Sequence, residues 1–290
     1  MKAIHKLENG DLRSPVIFSF SFDRYSININ QKSKREIIVK SENDVNAEDL
    51  FMIHQNVENL LMLLEGMFIP IKSISFNGNC DDVFMSLSDR CIKDRLRCYE
   101  SADYCRYRDH KFLDFELLLS EQIYKKWILL RDELGIMHPV FLYNMAKDTS
   151  TIDAKAAFLI EMAEPLVELV KEHTIFFSCL SPGKSGTSLR MCLDSLIVTY
   201  GKDIFSRELA NRSAYDTFLD KSIKTRVRIM NIKKNAEKGY YSSKEYALYD
   251  VKFSFLYRRI ILELLGVPYE DYVNALQVAV EKWDKWLTCE

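Results

Sequence analysis

Glycine and proline are scarce in this chain, nine and six among 290 residues. That scarcity excludes collagen-like and low-complexity architectures and favours long regular elements. Histidine is scarcer still, with five residues and none after His173. No uninterrupted apolar run approaches the ~20 residues a membrane-spanning helix requires. The opening Met-Lys-Ala-Ile-His-Lys-Leu-Glu-Asn-Gly holds no apolar signal core. The expectation is therefore a soluble cytoplasmic protein with no membrane partner. An excess of either charge is also lacking, since 40 Lys and Arg face 42 Asp and Glu, for a net charge of -2. This balance argues against a general nucleic-acid coat protein, so any such role must come from a local patch. The seven cysteines are an odd number in no disulfide-scaffold pattern, which fits a reducing compartment. Cys91, Cys98 and Cys105 recur every seven residues before His110, yet no Cys-x2-Cys pair exists. Buried or half-exposed thiols are expected there in preference to zinc, and neither a metal nor a cofactor is expected.

What is present divides the chain. In residues 16–29, Val16, Phe18, Phe20 and Phe22 alternate with polar residues, and Ile27 and Ile29 resume the alternation. This predicts a strand, followed by a hairpin loop and a second strand over 36–40. A helix is predicted over 47–65, capped by Asn46, striped by Leu50, Ile53, Val57, Leu60, Leu61 and Leu64, and ended at Gly66. Strand returns at 70–76 and turns at Asn77-Gly-Asn towards 83–87, while 91–112 shows no clear period. A further helix is expected over 117–134, ended by Gly135. The stretch Lys147-Asp-Thr-Ser-Thr-Ile is the best linker. Beyond it the pattern is almost wholly helical: 156–170, with Pro165 expected to kink or split it, then 189–200, 218–235, 245–265 and 268–287. The expected fold is an α+β N-terminal domain over 1–150 followed by an all-α bundle over 151–290.

The most informative stretch is 218–235. Seven Lys or Arg lie between Lys221 and Lys238 against one Glu. On a helix, Leu219, Ile223, Val227 and Met230 share an apolar face, with Arg226 at one edge and Asn231 at the other, while Lys221, Lys224 and Arg228 point away. Ile229 and Ile232 fall off that face, which predicts burial on a second side, as in a dimer interface. Arg226 offers a bidentate phosphate contact, and Lys224, Arg228, Lys233 and Lys234 supply charge. The alternative is an ordinary solvated helix face.

Thr225-Arg226 followed by Asn231, with a later helix ending Leu-Tyr-Arg-Arg-Ile-Ile-Leu-Glu-Leu-Leu-Gly-Val, resembles the C-terminal part of an ApeA-like HEPN domain. The order of elements over 16–150, including Tyr124-Lys-Lys-Trp127, is similar to the domain that accompanies such modules. The resemblance implies a small helical bundle, a homodimer formed through it, and a setting in bacterial anti-phage defence or toxin biology. In active members an Arg is followed four to six residues on by a His. The His takes the proton of a ribose 2′-hydroxyl while the Arg holds the scissile phosphate, so no metal is needed. The resemblance places Arg226 and Asn231 in those catalytic positions. Asn has no group that gains or loses a proton near neutral pH, and loss of a general base costs ~10²–10⁴ in rate. Val227 stands where a polar residue often follows the Arg. On an unbroken helix Arg226 and Asn231 also lie about 140° apart.

Two functions are thus expected: an RNA-directed protein weak or inactive as a metal-independent ribonuclease, or a non-catalytic interaction module whose basic helix binds nucleic acid or an acidic protein partner. Ser181-Pro-Gly-Lys-Ser-Gly-Thr-Ser echoes the end of a phosphate loop but has Ser178 where the pattern requires Gly. It is read as an interhelical loop whose Thr187-Ser188 caps the next helix. His54, His110, His138 and His173 are scattered. His54 is expected to be packed or partly exposed, His138 to sit in a turn before Pro139, and His110 or His173 could approach the basic helix.

Overall fold

A computed structural model of the chain describes residues 2–7, 16–31, 35–41, 45, 47–66, 71–77, 119–145, 151–173, 188–230 and 239–288. The strand expected at 83–87, the unassigned 91–112, the three spaced cysteines, His110, Asn46 and the Gly-Lys-Ser segment lie outside them. The chain divides into two compact units. One comprises Met1–Arg131 with Met145–Asp148, the other Asp132–Asn144 with Thr149–Glu290. The first is α+β and the second, among its described residues, is helical.

The first unit holds a five-stranded antiparallel sheet: β1 (Lys2–Leu7), β2 (Val16–Phe22), β3 (Tyr25–Gln31), β4 (Arg35–Ser41) and β5 (Ile71–Asn77), in spatial order β2-β3-β4-β1-β5. The β2–β3 hairpin turns at Asp23, whose φ of 51° is a left-handed conformation that Asp tolerates. The register sets Phe20 opposite Ile27 and Ile27 opposite Val39. Because side chains alternate with period two, these share a face with Ile29 and Ile37, and all five are buried. Leu50, Val57, Leu60, Leu61 and Leu64 of α1 (Ala47–Glu65) are buried too. Helix α2 (Glu121–Leu134) joins α1 through Tyr124, whose hydroxyl donates to the Ile53 carbonyl at 3.3 Å, and Trp127, whose Nε1 donates to the Asn56 carbonyl at 2.9 Å. Gly135, at φ 50°, ends α2.

The second unit contains α3 (Met137–Met145), α4 (Ile152–Glu161), α5 (Ala163–His173), α6 (Leu189–Tyr200), the one-turn α7 (Ser206–Leu209), α8 (Arg212–Met230), α9 (Ser243–Leu265) and α10 (Val273–Thr288). Pro139 lies in the first turn of α3, where a missing amide donor costs nothing. His138 is therefore a buried helical residue, contrary to the expected turn, and its Nδ1 is 3.2 Å from the Tyr257 hydroxyl. His54 is buried. The region around Pro165 splits as expected: α4 stops at Glu161, Met162 forms the joint, and Pro165 falls in the first turn of α5. Helix α9 is the central one, buried from Val251 to Arg258. A capping box opens it at Ser242 and Glu245. Gly266, in the left-handed region at φ 78°, closes it with a paired Gly266–Glu263 and Val267–Leu262 backbone bond.

One feature of this core escaped the sequence. Lys252 of α9 is wholly buried. Its Nζ lies 3.0 and 2.9 Å from the carboxylate oxygens of Glu208 in α7 and 2.8 Å from Asp284 Oδ1 in α10. A buried charge is tolerable only when paired, and removing one partner strands the others. Lys252→Met keeps the volume and leaves two carboxylates uncompensated. It should lower the stability of the helical unit by about 3–5 kcal/mol. Lys285→Met, which breaks the exposed Lys285–Glu281 pair on α10, should cost less than about 1 kcal/mol. Urea denaturation followed by circular dichroism compares the two.

Candidate nucleic-acid interface

Helix α8 carries the basic stretch, and it is turned differently from the expectation. Its buried residues are Tyr215, Phe218, Leu219, Ser222 and Thr225, while Ile223 and Val227 are half-buried and Met230 is exposed. The face expected from Leu219, Ile223, Val227 and Met230 is thus corrected by about a quarter-turn. The cause is local hydrogen bonding. Ser222 and Thr225, both at 0% exposure, are polar residues that can sit in a core only when satisfied.

Both are satisfied by one residue. The Ser222 hydroxyl donates to the Phe218 carbonyl at 2.9 Å and is bonded to the Tyr241 hydroxyl, and the Tyr241 amide donates to Thr225 Oγ1 at 3.1 Å. The Tyr241 ring is buried against Tyr249, with centroids 4.5 Å apart. Burial pushes its phenol well above the ordinary range, opposed by the hydrogen bond to Ser222. The segment Gly239–Tyr240–Tyr241 is thereby pinned along the C-terminal half of α8. Gly239 itself has φ 109°, open only to glycine without strain.

The cations in the C-terminal half of α8 divide into two groups. Lys221 Nζ is 2.7 Å from Glu245 Oε1, joining α8 to the capping box of α9. Burial raises the Glu245 carboxyl, but the bonds from Lys221 and Ser242 hold it below the usual value. Arg226 pairs with Glu161 through two parallel bonds, Nε to Oε2 and Nη2 to Oε1, the latter at 2.8 Å. This is the fork-to-carboxylate geometry that a phosphate would also use. Its hydrogen bonds hold the Glu161 carboxyl below the ordinary range despite partial burial. The second group consists of Lys224 and Arg228. Lys224 is exposed, with its Nζ 3.5 Å from where a Cβ on Gly239 would stand. Arg228 is half-buried, its guanidinium carbon 3.9 Å from the centroid of the Tyr240 ring.

Of the residues proposed from sequence, the fold brings Lys224, Arg226 and Arg228 to one end of α8. Asn231, Lys233 and Lys234 lie outside the described residues, as does Ile232, and Ile229 is half-buried. Sequence reasoning missed Glu161, Tyr240 and the clasp of Tyr241. The only legible signal for them was an aromatic pair, Tyr240-Tyr241, following the basic run. His173 does not reach for Arg226 but pairs with Glu133. Burial lifts the Asp250 carboxyl of α9 to about 7, opposed by Lys155, which puts it in the range useful to a general base. Its charged neighbour is Lys155 and not Arg226. Among the described residues, no group of three His, Cys, Asp or Glu could hold a metal ion, and no helix is long and apolar enough to cross a membrane. Comparison with protein-family models, with curated proteins and with solved structures returns no match.

The Glu161–Arg226 pair has a pH signature. A carboxyl whose folded value is lowered contributes stability above its unfolded value, and loses it as pH falls through the folded one. Glu161→Gln should therefore be less stable than the parent at pH 7. The gap should close as pH drops through and below the ordinary carboxylate value of 4.5. Thermal melting of both proteins at pH 7 and at acid pH tests this.

Proposed function

We propose that this chain is an RNA-directed, HEPN-like protein that binds RNA at the C-terminal end of α8 and cuts it weakly or not at all. The observation that carries this reading is the sorting of cations there. Lys221 and Arg226 are paired internally, while Lys224 is exposed and the half-buried Arg228 lies on the exposed Tyr240 ring and beside the Tyr246 phenol. A near-neutral protein needs such a local patch to attract a polyanion.

Chemistry argues for binding over cleavage. Asn231 occupies the position of the motif His and cannot take a proton from a ribose hydroxyl. Glu161, the carboxylate touching Arg226, is a poor substitute because that contact lowers its proton affinity. A second reading, a non-catalytic interaction module for an acidic protein, is favoured by the internal neutralisation of Arg226 itself.

RNA binding measured by fluorescence anisotropy at several salt concentrations decides between them. The expected result is affinity that falls as salt rises. Lys224→Ala and Arg228→Ala should each weaken binding and reduce the log–log salt slope by about 0.7, the single-strand value per phosphate contact. With chelator present the RNA should stay uncut. Metal-independent cutting abolished by Arg226→Ala would make the protein a nuclease instead, and absence of both cutting and binding would leave the interaction module.

A further inference from the structure

Among the described residues, Tyr240 is the aromatic side chain at this end of α8 that the core does not absorb. It is 37% exposed, between Gly239 and a residue that is locked in place. Tyr241 next to it is held by its ring, its hydroxyl and its amide, so the backbone carrying Tyr240 has little freedom. Arg228 lies on one face of the Tyr240 ring at 3.9 Å and fixes the plane of the phenol. Lys224 is one helical turn before Arg228 and lies beside Gly239. A flat π surface is therefore held rigid, with one guanidinium already stacked on it and a second cation within a residue's length.

From this arrangement we infer that Tyr240 is a stacking platform for a nucleobase, and that the ligand of this interface is single-stranded RNA and not duplex. The inference rests on the RNA-binding reading above and names the form of RNA. Its physical basis is simple. Lys224 and Arg228 can attract phosphates of either form, because charge does not discriminate between them. Tyr240 can contribute only if a base offers an open face, and in a duplex those faces are covered by neighbouring pairs. Preorganisation adds to the effect, since the ring and the guanidinium are already ordered before the ligand arrives. Stacking of this kind tolerates any base, so the interface should show little sequence preference.

The test uses the full chain and three labelled probes: a 12-nucleotide single strand, the same sequence as a 12-base-pair RNA duplex, and an abasic strand of equal length. The parent protein should bind the base-bearing single strand more tightly than either other probe. Tyr240→Ala should lose roughly tenfold or more of that affinity with an unchanged salt slope, because no charge is removed. Tyr240→Phe, which keeps the ring, should bind like the parent. Circular dichroism on both variants checks that the exposed substitution leaves the fold intact. Equal binding of all three probes with a normal salt slope would overturn the platform and leave the RNA-binding reading standing. So would Tyr240→Ala binding the single strand like the parent. Failure of the parent to bind any probe would overturn both.

Discussion

The arrangement at the end of α8 depends on one clasp. Tyr241 reaches back 16 and 19 positions to Thr225 and Ser222, giving its amide to one and meeting the other with its hydroxyl. Each of these four polar groups would be costly if buried alone, and each has a partner here. This exchange rotates α8 so that its hydroxyls face inward, and some of its aliphatic side chains are left half-exposed. It also draws the segment before α9 along the surface of α8, which sets the Tyr240 ring against Arg228. A packing requirement within the core thereby bears on which side chains of α8 reach solvent.

The second determinant is the break between α4 and α5. Pro165 cannot continue the preceding helix with a full set of amide bonds, so the chain resolves into two helices that meet at Met162. Glu161 is the last residue before that joint, and there its carboxylate meets the guanidinium of Arg226. The guanidinium of Arg226 is consequently occupied by a carboxylate of its own chain. Lys224 stays exposed, while Arg228 is half-buried beside Tyr240 and Tyr246. An ion pair with both side chains partly exposed contributes modestly to stability.

The fold was legible wherever a single periodicity dominated. Phe20, Ile27, Ile29, Ile37 and Val39 announce β-structure, although the alternation over 16–29 reads as one strand and the chain turns at Asp23 into two, β2 and β3; Leu50 to Leu64 announce α1. Strand β1 was not legible. Lys-Ala-Ile-His-Lys-Leu sets charged and apolar residues at the same phase of the alternation, yet it pairs on both sides, with β4 and β5. The orientation of α8 was misread because hydrophobicity alone ranks Ile223 and Val227 above Ser222 and Thr225 for burial, while the hydroxyls' partner stands outside the helix. Lys252 was missed for a similar reason: its partners Glu208 and Asp284 are 44 and 32 positions away (252 − 208 and 284 − 252). Arg226, Arg228 and Lys224 could be singled out from local sequence. Glu161, 65 positions from Arg226, could not, since nothing near it in the chain marks it as a partner.

The most direct measurement of the clasp is hydrogen exchange at the Tyr241 backbone amide. If Thr225 holds it, this amide exchanges as slowly as those of buried α9 residues, although it precedes the helix and has no helical acceptor. Thr225→Val, of nearly equal shape, should then release it to fast exchange while α9 stays protected. Rapid exchange of the Tyr241 amide in the parent protein, against slow exchange in α9, would contradict the account and with it the fixed placement of Tyr240.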